Sequence, residues 1–217
     1  MKLRLHNYWR SSASHRVRIA LGLEQLDYEY VVVDITAPAG GAQKSAEYRA
    51  KNPMQQVPTL EVIDDGGSHY LQQSLPIIEF LHEQHGKAGL LPRDPFQRAR
   101  ARALAEIVNS GVQPLQNLSV TKKVKALGGD DQQWARDFIR NGLEAFEAMV
   151  TDTAGRFCVG DSPTIADCFL VPQIHSARRF GASLDGLEHI VRISDECDEL
   201  PAFAAALPAR QPDAKTA

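Results

Sequence analysis

The first residues alternate in polarity, Lys2, Leu3, Arg4, Leu5 and His6, which predicts a strand. The segment SHRVRIALGLEQL, residues 14–26, changes period. Ile19, Leu23 and Leu26 fall at i, i+4 and i+7 with Ala20 beside them, a helical stripe that ends before Asp27. YEYVVVD, residues 28–34, returns to a strand, and its run of β-branched residues is what a strand covered on both faces carries. The opening therefore reads as a β-α-β unit, whose strands should run parallel. After a loop with Pro38, Gly40 and Gly41, residues 43–50 are a short helical candidate. TLEVI and HYL follow as strands joined through DDGGS, a hairpin turn sequence. SLPIIEFLHEQHG then predicts a helix with Ser74 as N-cap, Pro76 in the first turn, where a missing N–H costs nothing, and Gly86 as the stop.

The order β-α-β-α-β-β-α is the thioredoxin-like layout, an α/β sheet with helices on its faces, and it occupies residues 1–86. From LLPRDPFQRARARALAEIV onward strand signals vanish and helix signals repeat. Asp94 followed by Pro95 is an N-cap with proline at the first helical position. Ile139, Leu143, Phe146 and Val150 mark one face of a helix between Asp131 and Val150. SPTIADCFLVPQIHSARRFG is the most apolar of these segments; Thr164 and Asp167 form an aspartate version of the capping box, and Pro172 should kink or interrupt the helix they start. The fold class is thus α/β plus all-α: a thioredoxin-like domain, then a helical bundle domain over 92–217. The boundary lies in GKAGLLPRD, residues 86–94, and PARQPDAKTA at the end reads as a solvated tail.

Composition narrows the classes. With 43% hydrophobic and 24% charged residues, 217 residues suffice for a globular chain of one or two domains. The 24 Lys plus Arg against 27 Asp plus Glu give a net charge of −3, which points to neither nucleic acid nor an acidic membrane surface. No segment reads as a signal peptide or a membrane span, so a cytoplasmic protein is expected. Cys158, Cys168 and Cys197 form no C-x-x-C pair and have no histidine in metal-ligand spacing, so they read as reduced packing residues and no metal is expected.

The candidate chemistry lies at three places. A thioredoxin-like domain holds its reactive group at the N-terminus of its first helix, where free N–H groups and the helix dipole favour an anion. Here that place reads Arg10, Ser11, Ser12, Ala13, Ser14, His15 and Arg16, without a cysteine. A protein thiol therefore does not do the chemistry. A hydroxyl there either caps the helix or hydrogen-bonds to a thiolate brought by a ligand, the form in which sulfur is nucleophilic. Pro58, in QVPTL, is either the start of an edge strand or a cis-proline that turns the Val57 backbone toward an extended ligand. Gln73 and Ser74, at another helix start, either cap it or bind a carboxylate. Together these are the parts needed to bind a small acidic thiol peptide. Glutathione is the abundant cytosolic example, and the helical domain would supply a second wall.

The segments NYWRSSASHRVRIAL, KNPMQQVPTL, QSLPIIEFL, SGVQPLQNLSV, VGDSPTIADCFLVPQ, ARRF and RQPD span nearly the whole chain, and with them it closely resembles the zeta class of glutathione transferases. The resemblance implies a glutathione transferase fold, glutathione as cofactor, a small dicarboxylate substrate and a homodimer, without nucleic-acid or membrane partners. It implies that Ser11 and Ser12 hold the glutathione sulfur, with Ser11 the activating hydroxyl. It places Gln43, Val57, Gln73, Ser74, Gln113, Asn117, Leu118 and Ser119 around the peptide, and Arg179, with Arg10 as a second candidate, near substrate carboxylates. The implied activity is isomerisation of maleylacetoacetate to fumarylacetoacetate in tyrosine and phenylalanine catabolism, by reversible thiolate addition to the cis double bond. The alternatives are maleylpyruvate as substrate, or a conjugating or dehalogenating transferase. Bacterial members acting on maleylpyruvate tend to carry His-Pro where this chain has Gln113 and Pro114, which favours maleylacetoacetate. Zeta members also commonly read S-S-C-S at the motif. Ala13 stands at the cysteine position, so activity is expected to survive without that thiol.

Overall fold

Four strands, β1 (Lys2–Asn7), β2 (Glu29–Val32), β3 (Thr59–Asp64) and β4 (Gly67–Gln72), form one mixed sheet in the order β2-β1-β3-β4. This is a computed structural model, and it describes residues 1–215. β1 and β2 run parallel, as a β-α-β crossover requires, while β3 is antiparallel to both β1 and β4. One face pairs Leu5 with Leu60 and Leu3 with Val62, all buried. The other face is polar but also buried at its centre: His6 Nε2 and Glu61 Oε2 are 2.9 Å apart, and Glu61 Oε1 accepts the Ser68 hydroxyl at 2.7 Å. β2 is an edge strand, not a doubly covered one, and Val32 is 49% exposed. The valine run serves a half-buried edge, and Val33, just past the strand, supplies the buried anchor.

Helices α1 (Ser12–Leu23), α2 (Ala46–Lys51) and α3 (Ser74–His85) complete the thioredoxin-like order, with α1 packed on α3. α1 is not the simple stripe that its sequence predicts: every residue from Ser14 to Leu21 is buried. The reason lies at the far end of the chain, where helix α9 (Pro201–Ala206) packs on α1. A Cβ added at Gly22 would come within 3.1 Å of Ala202 Cβ. The described residues from Pro201 onward accordingly belong to the same compact unit as Met1–Ala88, and Gly89–Leu200 forms the other.

The expected solvated tail is therefore a docked segment. Gln211 is buried, with Nε2 donating to the carbonyls of Ala205 and Leu207 at 2.9 Å each, and Asp213 accepts the Trp9 N–H at 3.0 Å. Residues 216 and 217, the end of that predicted tail, lie outside the described residues.

The helical unit contains α4 (Pro95–Glu106), α5 (Leu118–Ala126), α6 (Asp131–Val150), α7 (Ile165–Phe180) and α8 (Glu188–Asp198). Asp94 caps α4 by accepting the Gln97 N–H at 2.8 Å. Ile139, Leu143, Phe146 and Val150 are fully buried on α6. The capping box of α7 is present, with Asp167 accepting both the N–H and the hydroxyl of Thr164. The break expected at Pro172 does not occur. α7 is continuous from Ile165 to Phe180, and burial of every residue from Ile165 to Ile174 outweighs the roughly 3 kcal/mol that an internal proline costs.

All three cysteines are free and buried. Among the described residues no helix is long and apolar enough to cross a membrane, and no group of three His, Cys, Asp or Glu could hold a metal ion.

Candidate functional site

The sheet register brings four of the predicted segments to one end of the sheet. His6 on β1 faces Thr59 on β3, and Thr59 faces Gln72 on β4, so the exit of β1, the entry of β3 and the exit of β4 share one row. Asn7 pairs with Val32, so parallel β2 leaves at the same end. From that edge depart the loop to Ser11, the segment with Val57 and Pro58, the turn at Gln73 and Ser74, and the connection that carries Gln43. Sites some sixty residues apart in sequence are thus gathered by strand pairing alone.

Between β1 and α1 the chain makes a tight turn, closed by the Ser11 N–H donating to the Tyr8 carbonyl at 3.1 Å. Ser11 is the N-cap: its backbone is extended, and its Oγ accepts the Ser14 N–H at 3.2 Å. The cap uses one lone pair of the hydroxyl and leaves the O–H to donate. Capping and binding an anion are therefore compatible at Ser11. The Ser11 carbonyl takes the His15 N–H at 2.9 Å, so the Ser12 and Ala13 N–H groups lie ahead of the intrahelical ladder, where a helix favours an anion. Ser11, Ser12 and Ala13 are half-buried, Ser14, His15 and Arg16 are buried, and Arg10 is exposed with its guanidinium 5.6 Å from the Trp9 ring.

Arg16 joins this helix end to the next. Its Nη1 donates to Ser74 Oγ at 3.1 Å, which sets a buried guanidinium between the N-termini of α1 and α3. Ser74 is not the N-cap of α3, as its sequence predicts. It is the first helical residue, and Gln73 holds the cap position with a φ of 70°. A left-handed glutamine costs about 1 kcal/mol relative to glycine there, and such conformations gather at ligand-binding positions.

The Val57–Pro58 peptide is cis, and ladder pairing of β3 begins only at Thr59, which leaves the Val57 backbone ahead of the sheet. The segment is held from behind. Tyr48 donates its hydroxyl to the Gln56 carbonyl at 2.7 Å and meets Thr59 Oγ1 at 2.9 Å, while Asn52 Nδ2 donates to the same two groups at 2.8 and 3.1 Å. Burial pushes the Tyr48 phenol up to about 12, so it is a neutral donor at pH 7. Gln43 lies in a short 3₁₀ turn and donates to the Gly40 carbonyl at 3.0 Å. Gly41, at a φ of 102°, has no room for a Cβ against the Gln43 side chain and the Ile35 carbonyl.

The remaining candidates lie on the helical unit. α4 runs into a π-helical turn, Ile107–Val112, after which Gln113 donates its N–H to the Val108 carbonyl. Asn117 caps α5, accepting the Ser119 N–H and hydroxyl at 3.0 Å each, and Leu118 is exposed. This stretch is pinned on two sides: Trp134 Nε1 donates to the Leu115 carbonyl at 3.0 Å, and buried Gln116 and Gln173 exchange amide hydrogen bonds at 2.9 and 3.2 Å. Arg179 is in the last turn of α7, its guanidinium 4.4 Å from the Phe180 ring.

Sequence reasoning missed the groups that hold these pieces. Tyr48 sits in a helix of six residues with little pattern and Asn52 is the residue that ends it, while Arg18 and Asp213 act across the whole length of the chain. Arg18 is buried beneath the turn, donating to Asn7 Oδ1, the Trp9 carbonyl and the Ala206 carbonyl at 3.0 to 3.2 Å. The alternation of two arginines within the apolar run RVRIAL was the available signal, since a buried arginine demands fixed partners.

Comparison with known proteins follows the same division. Residues 5–89 match the family model for the glutathione S-transferase N-terminal domain, and residues 97–205 that for the C-terminal domain. The chain is 42% identical to maleylacetoacetate isomerase of Dictyostelium discoideum over 214 residues, 97% of this chain and 95% of the relative. A crystal structure of maleylacetoacetate isomerase from Anaeromyxobacter dehalogenans 2CP-1, with dicarboxyethyl glutathione and citrate bound in its active site, is similar at a TM-score of 0.89. It has 49% identity and covers 99% of this chain and 98% of its own. The holo structure of maleylpyruvate isomerase, a bacterial glutathione S-transferase of the zeta class, is similar at a TM-score of 0.90, with 40% identity over 98% of this chain and 100% of its own.

Proposed function

The chain belongs to the zeta class of glutathione transferases, and on that premise we propose that it is a glutathione-dependent cis-trans isomerase that converts maleylacetoacetate to fumarylacetoacetate. The observation that carries the reading is the N-terminus of α1, where the Ser11 hydroxyl and the Ser12 and Ala13 N–H groups lie ahead of the helix ladder and residues 11–14 hold no cysteine. A nucleophilic sulfur must therefore come from the ligand. The residues present fit glutathione: hydroxyl and N–H donors for its sulfur, backbone of Val57 ahead of the sheet for its peptide, and the Gln73–Ser74 helix start above Arg16 for a carboxylate.

Bound glutathione supplies the sulfur whose reversible addition turns a cis double bond into a rotatable single bond, and whose departure leaves it trans. Ser11 donates its O–H to that sulfur and so favours the thiolate, a contact to a charged group worth about 1.5 to 3 kcal/mol. Ser12 adds its N–H. Arg10 and Arg179 are assigned to substrate carboxylates, Gln43 and Val57 to the peptide, and Gln113 and Asn117 to Ser119 to the helical unit's share of binding. Dicarboxyethyl glutathione, seen in the Anaeromyxobacter relative, is the thioether formed when a glutathione thiolate adds to one carbon of the double bond of a four-carbon unsaturated diacid and a proton to the other, which supports this chemistry.

In this reading the thioredoxin-like domain of residues 1–86 binds glutathione and the helical domain that begins near residue 92 binds substrate. A cytoplasmic location accords with three reduced, buried cysteines, and assembly as a homodimer is carried over from the class. Maleylpyruvate is the second substrate reading, favoured by the zeta-class relative that acts on it. Steady-state rates on the two substrates with catalytic glutathione decide between them: a kcat/KM at least tenfold higher on maleylacetoacetate is expected, and the reverse ratio makes the protein a maleylpyruvate isomerase. Consumption of glutathione with an α-haloacid in place of either would assign it instead to conjugation or dehalogenation.

A further inference from the structure

The turn that presents Ser11 is gripped at Trp9 from both sides of its backbone. Its N–H donates to Asp213 Oδ2 at 3.0 Å, and its carbonyl accepts from Arg18 Nη2 at 3.0 Å. The Asp213 carboxylate is itself anchored, because Tyr30 of β2 donates its hydroxyl to Oδ1 at 2.5 Å, and β2 is paired to β1 through Tyr30 and Leu5. Arg18 ties the same place to the chain end by donating from Nε and Nη2 to the Ala206 carbonyl, at 3.2 and 3.1 Å. Among the described residues, Arg18 and Tyr30 are the titratable groups whose charge interacts with Asp213. Between Trp9 and Ser11 lies only exposed Arg10, and the Ser11 N–H folds back onto the Tyr8 carbonyl. Trp9 and Ser11 are thus one residue apart in a single hydrogen-bonded turn, so a displacement of Trp9 bears on the Ser11 Oγ.

We propose that Asp213 is a positioning residue for the Ser11 hydroxyl, and that the C-terminal segment from Pro201 is a strap that sets the reactive turn from below. The inference rests on the role given to Ser11 above. It differs from a stability tether in what it predicts, since a hydroxyl displaced by a fraction of an ångström still leaves a folded protein but no longer meets the sulfur.

The test uses the full chain and compares wild type, Asp213→Ala, Asp213→Asn and Ser11→Ala by four readings. These are thermal unfolding, the pH midpoint of thiolate absorbance in the glutathione complex, the KM for glutathione, and kcat. Asp213→Ala is expected to raise the thiolate midpoint and lower kcat about tenfold while the KM for glutathione stays within about twofold. Asp213→Asn, whose amide oxygen still accepts the Trp9 N–H, is expected to recover most of both. A folded Asp213→Ala protein with the wild-type midpoint overturns the proposal, whatever its kcat. If that variant does not fold, Tyr30→Phe leaves the Trp9 contact but unpins the carboxylate. A shift of the midpoint in the same direction with about a threefold loss of kcat is then expected, and no shift overturns the proposal. Ser11→Ala separates the two levels. If it moves the midpoint and the strap variants do not, this inference fails alone; if it moves nothing, the reading of Ser11 fails and takes this one with it.

Discussion

Ser11 shows how one hydroxyl serves structure and chemistry at once. As N-cap it accepts the Ser14 N–H, and its own proton is left to donate outward. Removing the hydroxyl therefore costs the cap about 1 kcal/mol of stability and costs the thiolate its donor. Ser11→Ala is expected to lower kcat about tenfold to a hundredfold with little change in the KM for glutathione, as steady-state kinetics would show. A second residue carries a pH signature. The Thr36 hydroxyl and N–H hold the Asp34 carboxyl down at about 2, with Lys215 3.1 Å away. The folded value lies below the unfolded one of about 3.9, so Asp34 stabilises the fold above that pH and loses its contribution as pH falls through about 2. Melting temperatures of wild type and Asp34→Asn are expected to differ at pH 7 and to converge near pH 2.

At the scale of elements, local chemistry was legible where neighbours in sequence decide it. The strand of residues 2–6, the hairpin through Asp65 and Gly66, the Asp94 cap, the Thr164 capping box and the Gly86 stop are all written within a few residues. What failed to show was set by partners far away. Ser74 looked like a cap, but Arg16, fifty-eight residues earlier, draws its hydroxyl inward and leaves the cap position to Gln73. The valines of β2 looked doubly covered because sheet order, which makes it an edge, is a tertiary fact. The chain end looked solvated because its polar residues, Gln211 and Asp213, have backbone and tyrosine partners that no local pattern announces. The site was legible to a similar degree: the three segments could be named, but not the frame that aligns them. Tyr48 in α2 belongs to that frame. Tyr48→Phe is expected to cost about 1 kcal/mol in unfolding measurements and to raise the KM for glutathione more than it lowers kcat, since it loosens the Gln56 segment ahead of Val57 and leaves Ser11 in place.

For the molecule as a whole, the decisive feature is a thioredoxin-like unit with no thiol at its reactive helix. Ala13 stands at the motif's usual cysteine position, and burial pushes the thiols of Cys158 and Cys197 up, away from the reactive thiolate form. Treatment of the folded protein with iodoacetamide, followed by removal of the reagent, is therefore expected to leave turnover unchanged. The sulfur that matters must be borrowed and returned. The most direct measurement supplies protein freed of glutathione with maleylacetoacetate and a small, known amount of glutathione, and follows both trans product and remaining free thiol. The account predicts no conversion without glutathione, then many equivalents of fumarylacetoacetate for each glutathione added, with the thiol recovered in full. Conversion without glutathione, or loss of one thiol for each substrate consumed, would contradict it.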